Sequence, residues 1–228
     1  MGWFDAKWLG QTTHFENPAS SWKIIEKLQE HESRFSQDEY VSSGLYSESC
    51  CVFVCQQNGS SAQAIMKVRM QIPSIEDEPN SWQISSQLAE TEICGRSLQE
   101  IKALSALSSA ECSSTPRYIA SKHENQKPDG WVPGGFVDYV VMEKLEGRTL
   151  SEKYIRGLKL EEKIKLRGAF KTSYLECQNL GFVNLDNNVT NLIWNETKMK
   201  CYIIDWEAWS RKTYQWNDNE YRWWGLQD

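Results

Sequence analysis

The sequence predicts an α+β chain in two lobes: a small antiparallel sheet with one main helix, then a reduced, mostly helical part. Two observations carry this. The runs CCVFVC (50–55) and AIMKVRMQI (64–72) flank the turn signal QQNGSS, the pattern of a β-hairpin. After Gly147 the stretch 149–181 is helical in pattern, with Leu166, Phe170, Tyr174 and Leu175 at three-to-four spacing and Gly181 as a stop. The change from strand-rich to helix-rich sequence near residue 147 sets the lobe boundary.

Taken in order, residues 1–40 read as an N-terminal extension packed on the outside of a lobe. Within it SSWKIIEKLQEHESRF (20–35) predicts a helix, with Trp22, Ile25 and Leu28 or Gln29 near one face and Ser20 or Ser21 as N-cap. Residues 41–146 form the sheet lobe. After the hairpin, the acidic SIEDEPNSW (74–82) reads as a loop, and 84–109 as one helix or as two with a break near Gly95. Then RYIASKHE (117–124), the turn QKPDGWVPGG and the run FVDYVVMEKLEG (136–147) predict a second antiparallel pair. Residues 147–228 form the helical lobe.

Composition excludes several classes of function. With 25 basic and 31 acidic residues the net charge is −6, which gives no basic surface for a phosphate backbone, so nucleic acid is not an expected partner. No run approaches the roughly 20 apolar residues that span a bilayer, and the start lacks the basic-then-apolar pattern of a signal peptide; the expectation is a cytoplasmic chain with no membrane partner. Seven cysteines, with no CxxC pair, and three histidines point to reduced thiols rather than a zinc site.

The chemistry is concentrated in GFVNLDNNVTNLIW, where Asp186 and Asn191 stand five apart, and in the apolar run CYII that delivers Asp205. An Asp–Asn pair alone says little, because both residues are common in turns. The order acid, amide, strand, second acid is more specific, since it can supply a proton acceptor and two hard oxygen ligands for a divalent cation. On these motifs the segment from about 40 to 210 resembles the protein-kinase-like superfamily, and within it small-molecule phosphotransferases of the aminoglycoside and choline type and the short kinase-like proteins of fungi.

The resemblance implies a two-lobed kinase-like fold, ATP and Mg²⁺ as cofactors, and phosphoryl transfer to a small hydroxylated metabolite. It implies Asp186 as the catalytic acid–base group, and Asn191 and Asp205 as metal ligands. Lys67 in AIMKV matches the strand lysine that neutralises phosphate oxygens. Glu100 in LQEIKALSAL, with Leu104 and Leu107 behind it, matches the helix acid that holds that lysine. Met142, Glu143 and Leu145 match the strand and hinge whose backbone meets adenine.

Some positions depart from the pattern. Asn184 and Leu185 stand where the family has histidine and Arg or Gly; Trp206 stands for Phe; and Glu207 is the third-position acid of the small-molecule and fungal relatives. Only Gly44 remains near the phosphate-covering loop, where Ser42, Ser43, Ser47 and Ser49 offer hydroxyls instead. Just 23 residues follow Asp205, with Trp206, Trp209, Trp216, Trp223 and Trp224 among them; the readings are core filling, a pocket for an aromatic substrate, or a homodimer interface. The departures keep two alternatives open: a pseudokinase or binding module without phosphotransfer, and a kinase-fold cyclase or lyase that uses no ATP.

Overall fold

A computed structural model describes residues 2–75, 88–212 and 215–227. Most of the acidic loop expected over 74–82 and the first residues of the helix expected from Ile84 lie outside them. The chain forms two compact units, residues 1–97 with 119–143 and residues 98–118 with 144–228. It is an α+β structure whose largest sheet is antiparallel.

The first unit is built on a six-stranded sheet in the order β1-β2-β3-β4-β6-β5. Its strands are β1 (Thr12–Glu16), β2 (Ala19–Ser33), β3 (Glu48–Gln57), β4 (Gln63–Gln71), β5 (Tyr118–Asn125) and β6 (Phe136–Glu143). The β3–β4 and β5–β6 pairs are the two predicted from the sequence. Side chains alternate across the sheet. Ala64, Met66 and Val68 join one buried cluster with Phe53, Cys55 and Val141, and Phe4 and Trp8 close over Phe53. The intervening residues Ile65 and Lys67 therefore take the other face.

Two expectations for this unit are corrected. The helix predicted over 20–35 is strand β2. The residues that mimicked a helical face, Ile25 and Leu28, are skipped in the pairing: Ile24 faces Cys55 and Glu26 faces Val54, while Lys27 faces Phe53 and Gln29 faces Val52. Each is the extra residue of a bulge, and both are exposed. The second correction is at Gly44. The segment joining β2 to β3 contains α1 (Gln37–Ser43), started by a Ser36–Glu39 capping box and ended by Gly44 at φ 66°. Gly44 is the C-cap of a helix. Ser47 and Ser49 are engaged as well: Ser47 Oγ accepts from the Phe35 N–H at 2.8 Å, and Ser49 Oγ donates to the His31 carbonyl at 3.1 Å.

The second unit holds α2 (Gly95–Ser109), assigned from Leu98 onward, with α3 (Glu152–Gly157), α4 (Leu160–Asn179) and α5 (Asn219–Trp223). The helical stretch predicted after Gly147 is thus two helices. Small sheets complete the unit. One is β10 (Lys200–Ile203), β9 (Leu192–Asn195) and β7 (Arg148–Thr149); the other pairs β11 (Trp209–Ser210) with β8 (Val183–Asn184). Of the five tail tryptophans, Trp206 and Trp224 are fully buried and only Trp223 is exposed. Trp224 packs on Phe170 with ring centroids 5.3 Å apart, so this part of the tail fills core.

Candidate functional site

The second unit gathers its polar residues at the end of the β9–β10 hairpin. Leu192 pairs with Ile203, and one step beyond, the Ile204 N–H donates to the Asn191 carbonyl at 2.9 Å. This rung sets Asn191 beside the residue that precedes Asp205. The Asn191 side chain, 7% exposed, donates its amide to Asp186 Oδ2 at 2.8 Å and to the Asp186 carbonyl at 3.2 Å. With Nδ2 committed, Asn191 Oδ1 is the atom available as a hard ligand.

Asn184 ties the two segments together. Its buried amide donates to the carbonyls of Ile204 (3.2 Å) and Asp205 (2.9 Å), and its Oδ1 accepts from the Asp186 N–H (2.9 Å). One side chain thereby fixes the loop bearing Asp186 to the segment bearing Asp205. In the sequence Asn184 stands out only as a residue in the place of the family's histidine. The usable signal was chemical: a carboxamide donates and accepts at once, so it can bracket two backbones.

Asp205 sits at φ 62°, a left-handed conformation that Asp tolerates better than most residues. The following residues are anchored on both sides. Trp206 Nε1 donates to the Ile203 carbonyl at 3.0 Å, the Leu185 N–H to the Ala208 carbonyl at 3.0 Å, and Trp209 Nε1 to the Gln99 carbonyl at 3.0 Å. The last bond brings the first turns of α2 alongside. The result is a set of three acids: carboxylate oxygens of buried Glu100 and half-buried Asp205 and Glu207 lie within 4.8 Å of one another. The resemblance pairs Glu100 with Lys67; nothing in the sequence spacing points to this carboxylate group or to a part for Glu207.

Three carboxylates brought together are the chemistry Mg²⁺ takes, since it prefers carboxylate and water to nitrogen or sulfur. The residues present fit that ion. A hollow of about 370 Å³ in the same unit is bounded by Asn184, Leu185 and Asn187, which flank Asp186 in sequence, and by Tyr174, Glu220 and Trp223. Burial pushes the Glu220 carboxyl above its usual range, while a hydrogen bond from Tyr174 pulls the other way.

The remaining predicted positions lie in interior strands of the first unit's sheet and just beyond it. Lys67 is half-buried in β4, opposite Val52 and Val140; Met142 in β6 stands opposite Ile65. Lys67 and Met142 therefore share the face turned from the Phe53 cluster. Glu143, opposite Ala64, ends β6, and Leu145 follows in the second unit.

No family model and no curated protein matches the chain. Among solved structures it is similar to a kinase, PK-1, of the Cydia pomonella granulovirus, at 11% identity and TM-score 0.49 over 90% of this chain. The chain covers 65% of that kinase's length. Among the described residues, no helix is long and apolar enough to cross a membrane.

Proposed function

We propose that the chain is a kinase-like phosphotransferase that moves the terminal phosphoryl group of ATP to a hydroxyl of a small molecule. The observation that carries this reading is the web joining Asp186, Asn191, Asn184 and Asp205, in which a carboxylate base and the candidate cation ligands are fixed by one set of hydrogen bonds. Asp205, Asn191 Oδ1 and Glu207 would hold Mg²⁺, whose bound charge would neutralise phosphate oxygens. Asp186 orients the acceptor hydroxyl and takes its proton at a carboxylate oxygen; the amide of Asn191 fixes that carboxylate. The hollow beside Leu185 and Asn187 is of a size for a metabolite, which supports a small acceptor. The resemblance assigns phosphate to Lys67 and the base to Met142, Glu143 and Leu145.

One observation favours a second reading, nucleotide binding without transfer: α1, capped by Gly44, joins β2 to β3, where the resemblance would have a flexible glycine loop. Asp186→Asn separates the two. If Asp186 is the base, the variant loses phosphotransfer by at least about 100-fold while its thermal shift with Mg²⁺ and a non-hydrolysable ATP analogue is kept. Equal turnover in variant and wild type removes the role assigned to Asp186. A thermal shift in wild type with no turnover of any hydroxylated acceptor favours the second reading.

A further inference from the structure

The seven cysteines are free thiols, but they are not alike. Burial pushes Cys51, Cys55 and Cys201 up to about 12, where a thiol is unreactive near neutral pH. Cys112 and Cys177 form a different arrangement: their sulfurs lie 3.9 Å apart although the residues are 65 apart in sequence. Cys112 is half-buried in the turn after α2, where its N–H donates to the Leu107 carbonyl at 2.9 Å. Cys177 is 1% exposed on α4.

We propose that Cys112 and Cys177 are a peroxide-reactive dithiol, with Cys112 as the site of attack and Cys177 as the resolving thiol that closes a disulfide between the end of α2 and α4. This site is independent of the phosphotransfer reading. Three features argue for it. Cys112 is the half-buried member of the pair and the one that would meet the peroxide, and Cys177 is buried. The pair also loses its first proton more easily than a lone thiol, because the remaining S–H donates to the thiolate; this holds Cys112 below the ordinary thiol value although burial and Glu176 oppose it. Finally, the surroundings are fixed: Glu176 accepts from the Ser113 N–H at 2.7 Å and from the Ser113 and Ser114 hydroxyls, and Lys200 lies 3.4 Å from Glu176. The turn is thus already held against α4, so the sulfurs need only a small approach.

The oxidant class is a small hydroperoxide. The Cys112 thiolate attacks one peroxide oxygen, the O–O bond breaks, and with a proton from solvent the products are a sulfenic acid and water, or an alcohol from an alkyl peroxide. The Cys177 sulfur then attacks the sulfenic sulfur; hydroxide leaves, takes the Cys177 proton and departs as a second water. Two thiols and one hydrogen peroxide give one disulfide and two waters.

The test is titration of the reduced full chain with one equivalent of hydrogen peroxide, followed by alkylation and non-reducing peptide mass spectrometry. The expected result is a 112–177 linked peptide, loss of two thiols, and a Tm higher by roughly 5 °C than that of the reduced protein, reversed by dithiothreitol. Cys177→Ser is expected to leave a dimedone-trappable sulfenic acid at Cys112, and Cys112→Ser to consume peroxide at least about 10-fold more slowly. Cys112→Ser changes a half-buried side chain, so it keeps the proposal falsifiable even if the buried Cys177 variant folds poorly. Absence of the linked peptide, or equal peroxide consumption by Cys112→Ser and wild type, overturns the proposal.

Discussion

At the residue scale the side chain that organises the site is Asn184. Replacing it by alanine leaves two partly buried carbonyls and one N–H without the partner they have now, and each such group costs roughly 1 kcal/mol. Asn184→Ala is therefore expected to lose about 2–3 kcal/mol, a fall in Tm of roughly 4–10 °C, with a drop in phosphotransfer larger than any change in nucleotide affinity. Thermal melts and kinetics on one preparation check both; an unchanged Tm contradicts the bracketing role. The sequence made Asp186, Asn191 and Asp205 legible because their spacing fixes them at one hairpin end. It did not make the carboxylate group legible, because Glu100 reaches Asp205 and Glu207 through a bond from Trp209 to Gln99 that spans 110 positions. Local spacing carries no trace of such a contact.

At the element scale, strands with one buried face were readable and the irregular one was not. β4 alternates Ala64, Met66 and Val68 inward with Ile65 and Lys67 outward, the period that identifies a strand. β2 has two bulges, and beyond Ile24 most of its residues are exposed, so its apolar residues fall at a false helical spacing. The helical tract after Gly147 was readable as helix, but its break at residues 158–159 was not. Gly147 is required by geometry: at φ 137° an added Cβ would lie 2.6 Å from the Trp194 carbonyl oxygen, where β7 crosses β9. Gly147→Ala is expected to cost at least about 2 kcal/mol, measured by denaturant midpoint, because strain and overlap add; a cost under about 0.5 kcal/mol contradicts the close approach.

The contact between α4 and the turn after α2 gives a pH signature. Burial disfavours ionised Glu176, but bonds from Ser114 and Ser113 outweigh it and hold its carboxyl below the ordinary 4.5. A lowered folded-state value stabilises the protein above the ordinary value, and that stability is lost as pH falls through the folded one. Glu176→Gln is expected to melt below wild type at pH 7, with the gap closing as pH drops below about 4.5. Melts across this range check it, and a pH-independent gap contradicts it.

At the scale of the whole molecule, the α+β composition, the two strand pairs and the cluster of acids all lie in one chain of net charge −6. An acidic chain that binds a polyphosphate must overcome like charge, so nucleotide affinity should depend steeply on the divalent cation. That dependence separates a phosphotransferase-like site from a cluster of acids that merely faces solvent. It also isolates Asp205. Asparagine tolerates the same left-handed backbone while removing the carboxylate charge, so Asp205→Asn tests the proposed cation role without disturbing the chain path.

The most direct measurement is calorimetric titration of a non-hydrolysable ATP analogue into wild type and Asp205→Asn, each with Mg²⁺ and with EDTA. Binding by wild type that needs Mg²⁺, and that weakens at least about 10-fold in Asp205→Asn, is the predicted result. Wild-type binding that is absent, or equally tight in EDTA and in Asp205→Asn, contradicts the assignment of these carboxylates to a metal–nucleotide site.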